Sequence, residues 1–228
     1  MKRKKNLWLV AAVFCLLLVM TGCNGDTEEE SASTKNGVIE DETKNTEEDE
    51  SEDPDLSGTK AAFLIANGFH SSETSSPLAY LTRHGVECIL IGPEIGEVSA
   101  YDTNTTLNIE KTITEVDLSD YDVLVIPGGN SPRVLNLNEE ALSFVQKFME
   151  TDKPVATLCR GPYLLAGAGV LEGRTLTAIH FVENEIITAG GQYVDEAVVV
   201  DGNLITSRDP GDLPLFNRAI IEALKPEE

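Results

Sequence analysis

The chain has 228 residues and a formal net charge of −22, with 39 acidic against 17 basic side chains. That balance argues against a nucleic-acid binder, which needs a basic face, and against docking of the folded part on anionic lipid. Three histidines (His70, His84, His180) and four scattered cysteines offer no metal-ligand spacing, so neither a metal nor a cofactor is expected.

Residues 1–23 read as a targeting segment. Lys2, Arg3, Lys4 and Lys5 form a basic start, and Leu7 to Met20 is an apolar run of fourteen residues. A bilayer span needs about 20, so the run suits a signal sequence better. It ends in Met20-Thr21-Gly22-Cys23, which resembles the lipobox of bacterial lipoproteins, with Cys23 as the lipidated first residue of the mature protein. An uncleaved N-terminal anchor is the alternative. Both place the domain outside the cytoplasm, lipid-anchored or otherwise held to a bacterial membrane. Residues 24–59 carry fourteen acidic side chains, no aromatic residue and only Val38, Ile39 and Leu56 as large apolar ones. Such a stretch buries too little apolar surface to offset its ordering entropy and reads as an extended, self-repelling tether.

Residues 60–228 are one domain's worth of chain. Lys60 to Ala66 reads as the first strand. A helix follows to about His84, with Ser71 or Ser72 as its N-cap and Gly85 as its stop. Cys88 to Ile91 reads as a central strand, which makes Cys88 an inert core residue rather than a disulfide partner for Cys159. Pro93 to Asp120 is polar and turn-rich, an irregular hairpin over one edge. Tyr121 to Ile126 is a strand ending in Pro127-Gly128-Gly129-Asn130. Asn138 to Thr151 has an apolar stripe at helical spacing through Ala141, Leu142, Val145, Phe148 and Met149.

Pro154 to Leu158 is a short apolar strand that stops at Cys159. Arg160-Gly161-Pro162 follows, and then a helical pattern to about Ala168. This strand–turn–helix order is that of a nucleophile elbow, and a helix start beside a positive charge favours a reactive thiolate. A structural buried cysteine is the competing reading. Beyond it come a short strand at 176–178, a helical turn at 184–189, a β-rich stretch at 193–200 turning at Asp201-Gly202 into Leu204 to Ser207, and a last helix at 213–224. Strands alternating with helices predict an α/β domain: a doubly wound, largely parallel flavodoxin-like sheet with helices on both faces. Ligands in such folds sit at the C-terminal strand ends. Three of those ends carry special residues: Gly68 to Glu73, Gly128-Gly129 and Cys159-Arg160.

Val125-Ile126-Pro127-Gly128-Gly129, Val155 to Pro162, Leu171-Glu172-Gly173-Arg174 and Val199 to Arg208, in this order, resemble the PfpI/DJ-1 superfamily, a branch of the class I glutamine-amidotransferase-like fold. The resemblance covers 60–226. It implies Cys159 as nucleophile, backbone N–H groups of Gly128, Gly129 and Arg160 as an oxyanion or anion pocket, and Glu73 as the acid that hydrogen-bonds the sulfur and moves a proton. There are departures. Protease-like relatives carry His where Arg160 stands, and arginine cannot accept a proton. A second acid of those relatives is replaced by His70. A His or Tyr position of many members falls on Ile179, with His180 beside it. His180 is therefore a candidate catalytic residue and His70 an accessory one.

The resemblance implies a reactive-cysteine protein acting on small carbonyl compounds, glyoxalase- or deglycase-like, or a related cysteine hydrolase. A PfpI-type peptidase and a non-enzymatic redox-sensing or stress-protective protein are the alternatives. The expected partners are a small-molecule or peptide substrate and the membrane. Relatives are commonly dimers or larger, so a homo-oligomer belongs among them too.

Overall fold

A computed structural model describes residues 54–226. The expected signal segment, the lipidation site Cys23 and nearly all of the acidic tether lie outside the described residues. No helix among the described residues is long and apolar enough to cross a membrane.

Seven strands form the central sheet. In chain order they are β1 (Lys60–Leu64), β2 (Glu87–Gly92), β5 (Lys111–Thr112), β6 (Val123–Ile126), β7 (Val155–Leu158), β10 (Val198–Asp201) and β11 (Leu204–Ser207). Their spatial order is β10-β11-β7-β6-β1-β2-β5, and every pair is parallel except β10–β11. Strands β6, β7 and β11 are buried along their whole length, which is why they read as continuous apolar runs rather than alternating ones.

Successive side chains point to opposite faces of a strand, and each face has its own core. Ala62, Leu64, Leu124, Ile126 and Val155 pack with Phe144 and Phe148 of helix α3 (Glu139–Met149) and with Leu164 and Leu165 of α4 (Pro162–Gly167). Ala61, Phe63, Ile65, Val123, Val125, Ala156 and Leu158 pack with Leu81 of α1 (Ser71–Arg83) and with Phe216 and Ile220 of α6 (Leu213–Leu224). The doubly wound fold expected from the strand–helix alternation is the fold observed.

Several local expectations need correction. Helix α1 begins at Ser71, so neither serine is its N-cap. His70 holds that position and gives no side-chain cap. The cap comes from far away in sequence: Asp102 accepts from the Ser71 N–H at 3.0 Å and from its hydroxyl at 2.7 Å. Asp102 lies at the tip of a hairpin, β3 (Gly96–Ser99) and β4 (Thr106–Ile109), that folds back over the strand ends. An extra helix, α2 (Ser131–Leu135), follows the glycine pair, five residues long with Pro132 in its first turn. The strand expected at 176–178 is two residues, β8 (Thr175–Leu176). It pairs with β9 (Gln192–Tyr193) outside the main sheet and leads to α5 (Glu183–Thr188). Cys88 is half-buried on β2 with its thiol pushed up to about 11 by burial, in keeping with an inert residue.

Candidate active site

The elbow is built by the sheet itself. The Cys159 N–H donates to the Ser207 carbonyl at 3.0 Å, so β11 holds the backbone one residue past the end of β7. There the chain turns sharply: Cys159 has φ +57°, the one non-glycine residue in the left-handed region among the described residues. Such a conformation costs about 1–2 kcal/mol, and an outlier of this kind at a strand end points to function. Gly161 closes the turn, donating from its N–H to the Leu158 carbonyl at 2.8 Å. A Cβ at Gly161 would collide with the Thr157 hydroxyl and with the carbonyls of Ile126 and Leu158. Thr157 is itself fixed by donating to the Ile126 carbonyl at 2.9 Å.

Glu73 reaches the same point from the first turn of α1. It is fully buried, and neither carboxyl oxygen completes a well-formed hydrogen bond. Its nearest polar neighbours are the Cys159 thiol and the Gly128 N–H. Gly128 marks where the loops meet. A Cβ there would overlap the Glu73 carboxyl and stand 2.7 Å from the Cys159 Cβ and 3.1 Å from the Arg160 nitrogen. Only glycine permits that approach.

Burial pushes the Glu73 carboxyl up to about 7, against the pull of the Cys159 thiol and the Gly128 N–H. Burial, then the charge and hydrogen bonding of Glu73, push the Cys159 thiol up to about 12. The Gly129 and Arg160 N–H groups pull it down. The expected lowering of the thiol by a helix start and an adjacent arginine is thus outweighed. Thiol and carboxyl form one coupled pair, and moving the pair's single proton from sulfur to Glu73 creates the nucleophile without changing the net charge. The three amides of the expected anion pocket divide: Gly129 and Arg160 act on the sulfur, Gly128 on the carboxyl.

The hairpin tip supplies groups that sequence reasoning missed. The Tyr101 N–H donates to the Phe69 carbonyl at 3.1 Å. Its ring stands edge-on to His70 with centroids 5.6 Å apart. Its hydroxyl feels the charges of Arg160, Cys159, Glu73 and Asp102. His70 Nδ1 lies 3.6 Å from Asp102 Oδ2 and 3.3 Å from the Ser72 hydroxyl. His70 therefore stands with Asp102, Ser72 and Tyr101 at the start of α1. His180 is exposed, its ring packed on Phe181 at 3.9 Å between centroids. It is the neighbouring Ile179 that contacts the elbow, its N–H donating to the Cys159 carbonyl at 3.2 Å. No signal in the sequence marked Tyr101 or Asp102, since they lie in a polar turn without periodicity.

A doubly wound α/β domain with a cysteine on a strained strand-to-helix elbow, faced by a buried acid, defines a narrow class of proteins. Residues 59–223 match the model of the DJ-1/PfpI family, and the chain belongs to that family. It is 38% identical to Deglycase PfpI of Pyrococcus furiosus, over 73% of this chain and 99% of that protein. It is 37% identical to Deglycase TK1284 of Thermococcus kodakarensis, with the same coverage. It is 36% identical to a Bacillus subtilis protein named "Putative cysteine protease YraA", over 73% of this chain and 98% of that one. Among solved structures, a two-domain protein from Anabaena variabilis with DJ-1/ThiJ/PfpI-like and ferritin-like domains superposes with TM-score 0.71 at 36% identity. That match covers 73% of this chain and about half (48%) of the larger protein. Drosophila melanogaster DJ-1beta superposes with TM-score 0.68 at 28% identity, covering 74% of this chain and 92% of that one.

Proposed function

We propose that the protein is a cysteine-dependent enzyme acting on small carbonyl compounds or their adducts, held outside the cytoplasm by a lipid on Cys23. The observation that carries the reading is the strained Cys159 facing the fully buried Glu73, with the Gly129 and Arg160 amides on the sulfur. Relatives named as deglycases support the chemistry, and the first 23 residues support the location.

The proposed chemistry starts with the Cys159 proton passing to Glu73. The sulfur pair then forms a C–S bond to the carbonyl carbon while the carbonyl π pair moves to oxygen, where backbone amides and the returning proton stabilise it. With methylglyoxal the sulfur adds to the aldehyde carbon C1. Glu73 then carries the C1 proton to C2 while the hydroxyl proton on the C1 oxygen passes to the C2 oxygen, leaving a lactoyl thioester. Water then releases lactate from the sulfur, so that one aldehyde and one water become one hydroxy acid with no outside oxidant. A peptidase reading has the name of the Bacillus relative in its favour. The absence of an imidazole at position 160 stands against it, because Arg160 cannot act as a base.

The test is steady-state turnover of methylglyoxal by wild type, Cys159→Ala and Glu73→Gln. Loss of at least about 100-fold in kcat is expected for each variant, the scale of removing acid–base assistance. Turnover unchanged in both variants overturns the reading, as does casein or peptide cleavage without carbonyl turnover.

A further inference from the structure

Two guanidinium groups line one cavity beside the elbow. The cavity, about 450 Å³, lies between the starts of α2, α4 and α5, and its wall is made by Asn130, Arg133, Arg160, Tyr163, Phe181 and Glu185. Larger surface cavities of about 710 and 780 Å³ lie elsewhere and carry no residue of the site.

Several cations of this acidic chain are held by carboxylates, Lys60 and Lys225 among them. Arg208 is clamped by Asp195 and Asp212. Arg133 and Arg160 make no ion pair among the described residues. Arg160 donates to the neutral Asn130 Oδ1 at 2.9 Å, and the Arg133 guanidinium lies 5.8 Å from the centre of the Tyr163 ring. These contacts leave most of their ten N–H donors (five per guanidinium) free to face a ligand. The one carboxylate in the lining is Glu185, so the wall is net positive. Phe181 and Tyr163 add apolar surface to the wall. The Arg160 N–H bears on the sulfur while its side chain lines this cavity, so the cavity begins one residue along the chain from Cys159.

We propose that this cavity binds the anionic end, a carboxylate or a phosphate, of the molecule whose carbonyl carbon meets Cys159. The planar fork of arginine matches both groups with paired hydrogen bonds. The proposal rests on the reading of Cys159 as a carbonyl-directed nucleophile and adds to it a preference for carbonyl compounds that carry a negative charge, with uncharged methylglyoxal still turned over. It also gives a use to an elbow residue that is unable to serve as a base.

Alkylation of Cys159 tests this without any turnover. Full-length protein is treated with iodoacetate or with iodoacetamide, which differ by one carboxylate, and Cys159 modification is followed by peptide mass spectrometry. In wild type the iodoacetate-to-iodoacetamide rate ratio is expected to exceed that of the same cysteine in denatured protein by about tenfold, the scale of one charged hydrogen bond. Arg133→Gln should return the ratio toward the denatured value and Arg133→Lys should restore most of it. Labelling of the half-buried Cys88 reports unfolding of either variant. Acetate and inorganic phosphate are then added as protectants against iodoacetamide, and the one effective at lower concentration identifies the anion class. The proposal is overturned by a wild-type ratio equal to the denatured one, by no change in Arg133→Gln, by a Cys159 inert to both reagents, or by protection from neither anion. A normal ratio with no methylglyoxal turnover would overturn the carbonyl reading alone. Turnover with no anion preference would overturn the anion cavity alone.

Discussion

Cys159 and Glu73 share one proton, and its position decides whether the sulfur is a thiol or a thiolate. The strand stopping at a cysteine before Gly161-Pro162 is a local pattern, and a local pattern survives without coordinates. The proton balance is not local. It depends on how deeply α1 buries Glu73 and on which amides face which atom, and the structure sets both. A direct consequence follows for Glu73→Gln. Removing the buried charge that opposes ionisation should lower the Cys159 thiol from about 12, even as the proton acceptor is lost. Titration of the thiolate ultraviolet absorbance checks this; a thiol pKa that stays put or rises would show that Glu73 does not act on the sulfur. The same coupling explains why the arginine next to the sulfur is a poor predictor of its acidity. Its guanidinium is turned toward Asn130, and only its backbone N–H bears on the thiol.

The β3–β4 hairpin is the element whose role was least legible. Pro93 to Asp120 reads as a polar hairpin over an edge; the β3–β4 part is one, the remainder adds the edge strand β5 to the main sheet, and polarity says nothing about where a tip lands. The tip spans the end of β1: the Gly68 N–H donates to the Ser99 carbonyl at 2.8 Å, and Phe69 bridges to Ala100. From there Asp102 completes the start of α1, with its negative charge also favourable at the positive end of the helix dipole. Asp102→Ala should therefore lower stability by about 1 kcal/mol, the usual worth of an N-terminal cap. It should also loosen the helix turn that carries Glu73, so methylglyoxal kcat is expected to fall while Cys159→Ala remains the larger loss. Thermal unfolding beside kinetics separates the two effects, and an unchanged melting temperature would mean that the contact contributes nothing. His180 is the complementary case. Its position next to a matched family site is visible in sequence, but the direction of its ring is set by a short 3₁₀ turn at His180–Val182 that places it on Phe181.

For the molecule as a whole, the parallel order of β1, β6 and β7 brings their C-terminal ends to one edge, and the site is assembled there from segments far apart in the chain. The strand–helix alternation made that architecture readable. The small β8–β9 sheet and α2 were not, because two- to five-residue elements leave no periodic trace. Burying Glu73 also has a global cost that depends on pH. Its carboxyl moves from an ordinary value of 4.5 to about 7 on folding, so the folded state holds the proton more tightly. The resulting stabilisation is fully present below about pH 4.5 and is lost as pH rises through about 7. It amounts to roughly 3 kcal/mol over that window. Denaturant unfolding of wild type and Glu73→Gln across this range should show the wild-type slope flattened in the variant. Parallel curves would mean that the carboxyl titrates normally. The hairpin tip, finally, offers a handle for engineering: residues 100–105 join β3 to β4, rest on Phe69 and the start of α1, and belong to no layer of the scaffold. A library that varied those positions while keeping Tyr101 and Asp102 would diversify the approach to Cys159 without replacing any group that acts on it or on Glu73.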